Sequence, residues 1–102
     1  MKIFWTLPSI NDLESIRDYI ARDSEVYAIN FVEKIIMAVE KLSLLPELGR
    51  MVLEADDPNV RELIFQNYRI IYRIHEKAIQ IIAVIHGARD IGTFPIKPWE
   101  IV

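Results

Sequence analysis

Three observations predict an α+β domain of order βααβββ, a two-helix antiparallel hairpin packed on one face of a small antiparallel sheet. Apolar residues recur at helical spacing in two consecutive stretches between Ile10 and Leu45. Three β-prone runs follow between Val60 and His86, split only by Gln66-Asn67 and Glu76-Lys77. An acidic, turn-rich segment separates the two halves. At 102 residues the chain is the size of one domain, so residues 1–102 are expected to share a single core.

Lys2 to Trp5 reads as a short strand, and Pro8 and Ser9 after it mark a turn and a helix start. Ile10, Leu13, Ile16 and Ile20 form one face of a helix from about Ser9 to Arg22, with Asp12, Glu14, Arg17 and Asp18 opposite. Ser9, followed by Asp12 three residues on, resembles a capping arrangement. Asp23-Ser24 breaks the period. A second stripe of Ala28, Phe31, Ile35, Ala38, Leu42 and Leu45 then begins, and so short a break permits only a hairpin. Pro46 and Gly49 end that helix, and 46–59, with Glu54-Ala55-Asp56-Asp57-Pro58, is expected to be an exposed loop. Strands are expected at about 60–65, 68–75 and 78–86, as an antiparallel meander whose second face stays at least partly open. Pro95 and Pro98 block regular structure near the end, where Phe94 and Trp99 are expected to anchor residues 91–102 along the surface.

Composition narrows the function classes. The chain is 52% hydrophobic with only 3 Gly and 5 Pro, which argues against disorder. It has no cysteine, so a disulfide framework and thiolate metal sites are excluded, and with no signal-like segment after Met1-Lys2 the cytoplasm is the expected compartment. Apolar runs such as Ile81–Ile85 fall far short of the roughly 20 residues that span a bilayer, so no membrane association is expected. The net charge of −3 speaks against a general nucleic-acid binder. Its distribution is uneven: residues 1–58 hold 11 acidic and 6 basic residues, residues 59–102 hold 4 and 6.

The basic groups sit with the strands. Period-two alternation places Arg69, Ile71, Arg73 and His75 on one face and Tyr68, Ile70, Tyr72 and Ile74 on the other. The same alternation along the last strand puts Gln80, Ile82, Val84 and His86 together, and a common register brings them to the face of the arginines. Exposed aliphatics between cations would form a groove that a partner's amphipathic segment could fill. His86 is either an acid/base or a ring bonded to the Gly87 turn. Glu62 beside Arg61 reads as charge pairing across the sheet, and Arg89 and Asp90 either pair with each other or fix the carboxyl-terminal segment. Two histidines without a close carboxylate motif do not approach zinc-ligand spacing, so neither metal nor cofactor is expected.

In this order the motifs Asp12-Leu13, Ile16 to Ile20, Leu42 with Pro46 and Gly49-Arg50, Arg61-Glu62-Leu63, Tyr68 to Ile74 and Val84 to Asp90 resemble the RelE/ParE superfamily, the toxins of type II toxin–antitoxin systems. The REL, YRIIYRI and HGARD segments are closer to the ParE and plasmid-stabilisation branch. The resemblance implies a toxin that poisons DNA gyrase by binding it and is neutralised, in a hetero-oligomer, by a cognate antitoxin. The antitoxin or target surface it suggests comprises Arg61, Arg69, Ile71, Arg73, Ile82, Val84, His86 and Arg89. The alternative implied by the RelE branch is a metal-independent, ribosome-dependent mRNA endonuclease using Arg69, Arg73 and His86, and a third is a degenerate toxin that only binds antitoxin. The tyrosine that many of those nucleases carry near the carboxyl end is replaced here by Phe94 and Trp99.

Overall fold

The computed structural model describes residues 1–102. Strand β1, Lys2–Trp5, turns Ile3 and Trp5 toward the core and Phe4 to solvent. Helix α1, Leu7–Ala21, starts one turn earlier than the Ser9–Asp12 reading implied. Thr6 is its N-cap: the Thr6 hydroxyl accepts from the Ser9 N–H at 3.3 Å, and Pro8 occupies the first turn, where its missing N–H costs nothing. Ser9 is buried within that turn, inside the helix rather than at its cap position, and donates to the Thr6 carbonyl at 2.7 Å. Leu13, Ile16 and Ile20 face the core.

Ser24 caps α2, Glu25–Glu40, by accepting from the Tyr27 N–H at 3.1 Å. Its buried stripe is Ala28, Phe31, Ile35 and Val39, continued by Leu42 in a 3-10 turn at Lys41–Ser43. That tightening changes the phase of the helix, which leaves Leu45 exposed rather than on the stripe.

The meander is as expected: β3 at Val60–Phe65, β4 at Tyr68–Ile74 and β5 at Ala78–His86. Two additions complete the sheet. Arg50–Met51, inside the segment read as loop, forms a two-residue strand β2 antiparallel to β3, and β1 joins β5 in parallel. The five strands run β1-β5-β4-β3-β2. Gln66 takes up the β3–β4 turn with a φ of 51°, a conformation that costs a non-glycine residue on the order of 1 kcal/mol.

Each face of the sheet carries its own core. Phe31, Ile35, Val39 and Leu42 from the helices pack on Ile70, Tyr72, Ile79, Ile81 and Val84. On the other face Val52, Ile91 and Trp99 cover Val60, Ile71, Ile82, Ala83 and Ile85. The face expected to stay partly open is therefore roofed by the β2–β3 loop and the carboxyl-terminal segment, which contains a 3-10 turn, Ile91–Thr93, and a short helix α3, Pro98–Ile101.

A buried latch ties the chain between α2 and β2 to the sheet. The Tyr72 hydroxyl donates to the Pro46 carbonyl at 2.7 Å and accepts from the Gly49 N–H at 2.9 Å. Gly49 lies so close that a Cβ there would sit 2.5 Å from the Glu62 carbonyl oxygen, which only glycine avoids. Tyr72→Phe strands a buried donor and an acceptor together. We expect it to cost about 1–3 kcal/mol, measured as a fall in Tm of roughly 4–8 °C per kcal/mol by thermal melting.

Candidate functional site

Arg69, Ile71, Arg73 and Ile82 do share the face away from the helices, but that face is not a bare cationic platform. Arg69 Nε donates to Glu62 Oε2 at 2.6 Å, while its two terminal nitrogens meet both oxygens of Glu54 at 3.2 and 3.3 Å. Arg50 Nε reaches the other Glu62 oxygen at 2.7 Å. Glu62 is only 3% exposed, so two guanidiniums hold one buried carboxylate, the condition under which such burial is tolerated. Arg73 donates to the Trp99 carbonyl at 2.9 Å and the Val102 carbonyl at 3.2 Å, pinning the last helix. The groove expected between the arginines is filled, because Ile71 and Ile82 lie in the cluster with Ile91 and Trp99.

Arg61, Val84 and His86 lie on the opposite face. A β-bulge causes this for the last two: Ile71 pairs with Ala83 and Tyr72 with Ile81, so Ile82 is an extra residue and alternation restarts one step out of phase. Beyond it Ala83 and Ile85 join the arginine face, while Val84 packs under the helices and His86 sits opposite Tyr68, ring centroids 5.3 Å apart. His86 Nδ1 accepts from the Ala88 N–H at 3.1 Å, the turn-bonding role, which leaves the neutral ring's proton on Nε2. Arg61 is paired across from Tyr72, so it faces the helix side and donates to the Gly49 carbonyl at 2.9 Å. Glu62 does pair across the sheet, with Arg69 on β4 and Arg50 on β2, but not with Arg61, since adjacent strand residues point apart. Of the two roles open to Arg89 and Asp90, they do not pair with each other but hold the start of the carboxyl-terminal segment: the Arg89 guanidinium lies 4.6 Å over the Phe94 ring, and Asp90 accepts from the Gly92 N–H at 2.9 Å.

Sequence reading missed three charged groups. Arg50 and Glu54 come from the segment taken as plain loop, and nothing in its pattern links it to Arg69 across 15 residues. The Glu54 carboxyl is held below its ordinary value by the hydrogen bond from Arg69, against a smaller desolvation effect, with help from the charges of Arg69 and Arg50. Asp12, assigned to the wet face of α1, instead accepts from the Val84 N–H at 3.0 Å beyond the end of β1. It lines a cavity of about 150 Å³ with Ile82, Ile85, Arg89 and Phe94.

Burial pushes the Asp12 carboxyl up, outweighing the Val84 hydrogen bond and the charge of Arg89. The two carboxylates therefore act oppositely on stability. Glu54, with its folded pKa depressed, contributes stability that is complete above the unfolded value of 4.5 and lost as pH falls through the folded one. Asp12, with its folded pKa raised, carries its full cost at neutral pH and sheds it as pH falls toward 3.8. Asp12→Asn, which keeps an acceptor for Val84, is expected to be no less stable than wild type at pH 7, with the difference closing toward pH 4. Denaturant midpoints across that range check it, and a variant clearly weaker at pH 7 would contradict it.

Comparison with known proteins agrees with this geometry. Residues 3–91 match the family model described as ParE toxin of type II toxin-antitoxin system, parDE. The chain is 30% identical over 89 residues to Toxin RelE2 of Caulobacter vibrioides, spanning 86% of this chain and 97% of that protein. Among solved structures it resembles the chromosomal ParDE TA system from P. aeruginosa at a TM-score of 0.71 and 26% identity, over 84% of this chain and 95% of that one. The toxin-antitoxin complex RelBE2 from Mycobacterium tuberculosis shares the fold at a TM-score of 0.60 and 19% identity, over 83% and 95% of the two chains. With its two helices on a mostly antiparallel sheet and a family match over nearly its whole length, the chain belongs to the ParE toxins of type II toxin–antitoxin systems, within the RelE/ParE superfamily.

Proposed function

We propose that this toxin arrests growth by binding and poisoning DNA gyrase, without catalysis of its own, and that a cognate antitoxin neutralises it in a hetero-oligomer. One observation carries the reading. The three groups a metal-independent ribonuclease would need together are not free together: Arg69 and His86 line one groove of about 310 Å³, but Arg69 is occupied by two carboxylates, Arg73 is held away by the tail carbonyls, and His86 Nδ1 accepts from the Ala88 N–H. A general base must come within hydrogen-bond reach of the hydroxyl it deprotonates while cations hold the phosphate, and this arrangement opposes that. Binding to a protein needs no such convergence.

For the antitoxin, the supporting feature is a groove of about 390 Å³ between α2 and β3, floored by Met37, Ala38, Leu63 and Phe65 and rimmed by Lys34 and Lys41. An amphipathic segment with acidic residues along its edge complements both its floor and its charge. The ribonuclease alternative draws support from the 30% identity to a protein named RelE2. Induction of the free toxin in cells separates the two. Filamentation with a DNA-damage response, retained in His86→Ala, is expected; immediate translation arrest with codon-positioned mRNA cuts, abolished by the same substitution, would favour the nuclease.

A further inference from the structure

The two carboxylates on Arg69 are not equivalent. Glu62 is buried on β3 and shared with Arg50, so it is a fixed part of the fold. Glu54 comes from a loop, its side chain is about a third exposed, and Arg69 is the one other residue that its carboxylate hydrogen-bonds. The loop around it is closed by its own backbone: Ala55 donates to Val52 at 3.1 Å, Val60 to Asp57 at 3.1 Å, and Asn59 to the Asp57 side chain at 2.9 Å. None of these bonds depends on Glu54.

Removing Glu62 would leave a guanidinium that is only 14% exposed without its buried partner, whereas removing Glu54 uncovers only its outer edge. That edge offers two parallel N–H groups, the fork that recognises a planar oxyanion. We infer that Glu54 is an exchangeable plug in a carboxylate-binding site on Arg69, and that an acidic side chain of a partner polypeptide takes its place. The inference rests on the reading of the protein as a binding toxin and names the chemistry its partner presents at this point.

Charge and exposure select the occupant. Swapping one carboxylate for another leaves the charge around Arg69 and Arg50 unchanged, while a run of phosphates would meet Glu54, Asp56 and Asp57 on a chain of net charge −3. Leu53, beside the plug, is 94% exposed, and Ile64, paired across from Arg69 on the same face, is half exposed. A carboxylate flanked by apolar residues therefore fits better than an isolated anion.

The test uses the full chain labelled with 15N and follows the Arg69 Nε–H signal while N-acetyl-Leu-Glu-Leu amide is added. A plug lowers apparent affinity by the fraction of time it is open, so Glu54→Ala should bind this peptide about tenfold more tightly than wild type. The Gln version of the peptide should leave the Arg69 signal unmoved in both proteins. Equal affinity in the two proteins, equal binding of the Gln peptide, or displacement by a ten-nucleotide single-stranded RNA would each overturn the inference. Growth arrest on induction is scored separately, so this result can fail while the toxin reading survives, and the reverse.

Discussion

Glu62→Ala is expected to lower stability by about 3–5 kcal/mol, the usual cost of removing one member of a buried charge cluster. Arg69 is 14% exposed and would keep only the looser, loop-borne Glu54, while Arg50, 72% exposed, would return to water at little cost. The loss is thus concentrated in one stranded guanidinium. Glu54→Gln, by contrast, breaks a partly exposed pair and should cost no more than ~1 kcal/mol. Urea denaturation of the two variants beside wild type measures both. Similar losses would mean that the cluster is not divided into a fixed and a mobile half.

The second large effect is expected at the joint between the helices and the sheet. Phe31 is 5% exposed, with its ring edge-on to Phe65 at 5.7 Å and to Tyr68 at 5.5 Å. Phe31→Ala should cost about 3–5 kcal/mol through lost apolar burial and the cavity left behind, with edge-to-face contacts adding to the loss. Ile29, two residues earlier on α2, is more than half exposed, and Ile29→Ala should stay within about 0.5 kcal/mol of wild type. A large loss at Ile29 and a small one at Phe31 would reverse the assigned faces of α2. Chemical denaturation monitored by circular dichroism distinguishes the two outcomes.

The contrast between Phe31 and Ile29 was legible from spacing alone, since a 3.6-residue period leaves little freedom once a buried stripe is identified. The three long strands were legible as β-prone runs split by two-residue turns, and in β4 the faces followed from Arg69, Ile71 and Arg73 at period two. The last strand was different. Ile79, Ile81, Ile82, Ala83, Val84 and Ile85 are apolar at both parities and buried on one face or the other. Such a strand satisfies either phase equally well, so alternation cannot locate a bulge, and the faces of Val84 and His86 came out reversed. Strand β2 was invisible because two residues carry no period, and its existence depends on the edge that β3 offers.

The candidate site was legible only in its arginines. Their face followed from alternation in β4, but their availability depended on groups far away in sequence: Glu54 on a loop and the backbone carbonyls of Trp99 and Val102. A carbonyl acceptor leaves no trace in residue type. Glu54 was visible as part of an acidic run, yet a solvated charge run and a loop folded back onto an arginine have the same composition. The tail was expected to be anchored by Trp99, and it is; that it also closes the second core follows from Ile91, which shows no periodicity with its neighbours.

Supercoiling by purified DNA gyrase, with the free toxin added at increasing ratio, tests most directly the claim that this fold acts by contact. Loss of supercoiling with accumulation of cleaved DNA, unchanged in His86→Ala, is the predicted result. Gyrase that continues to supercoil while mRNA on programmed ribosomes is cut by the same preparation would contradict it.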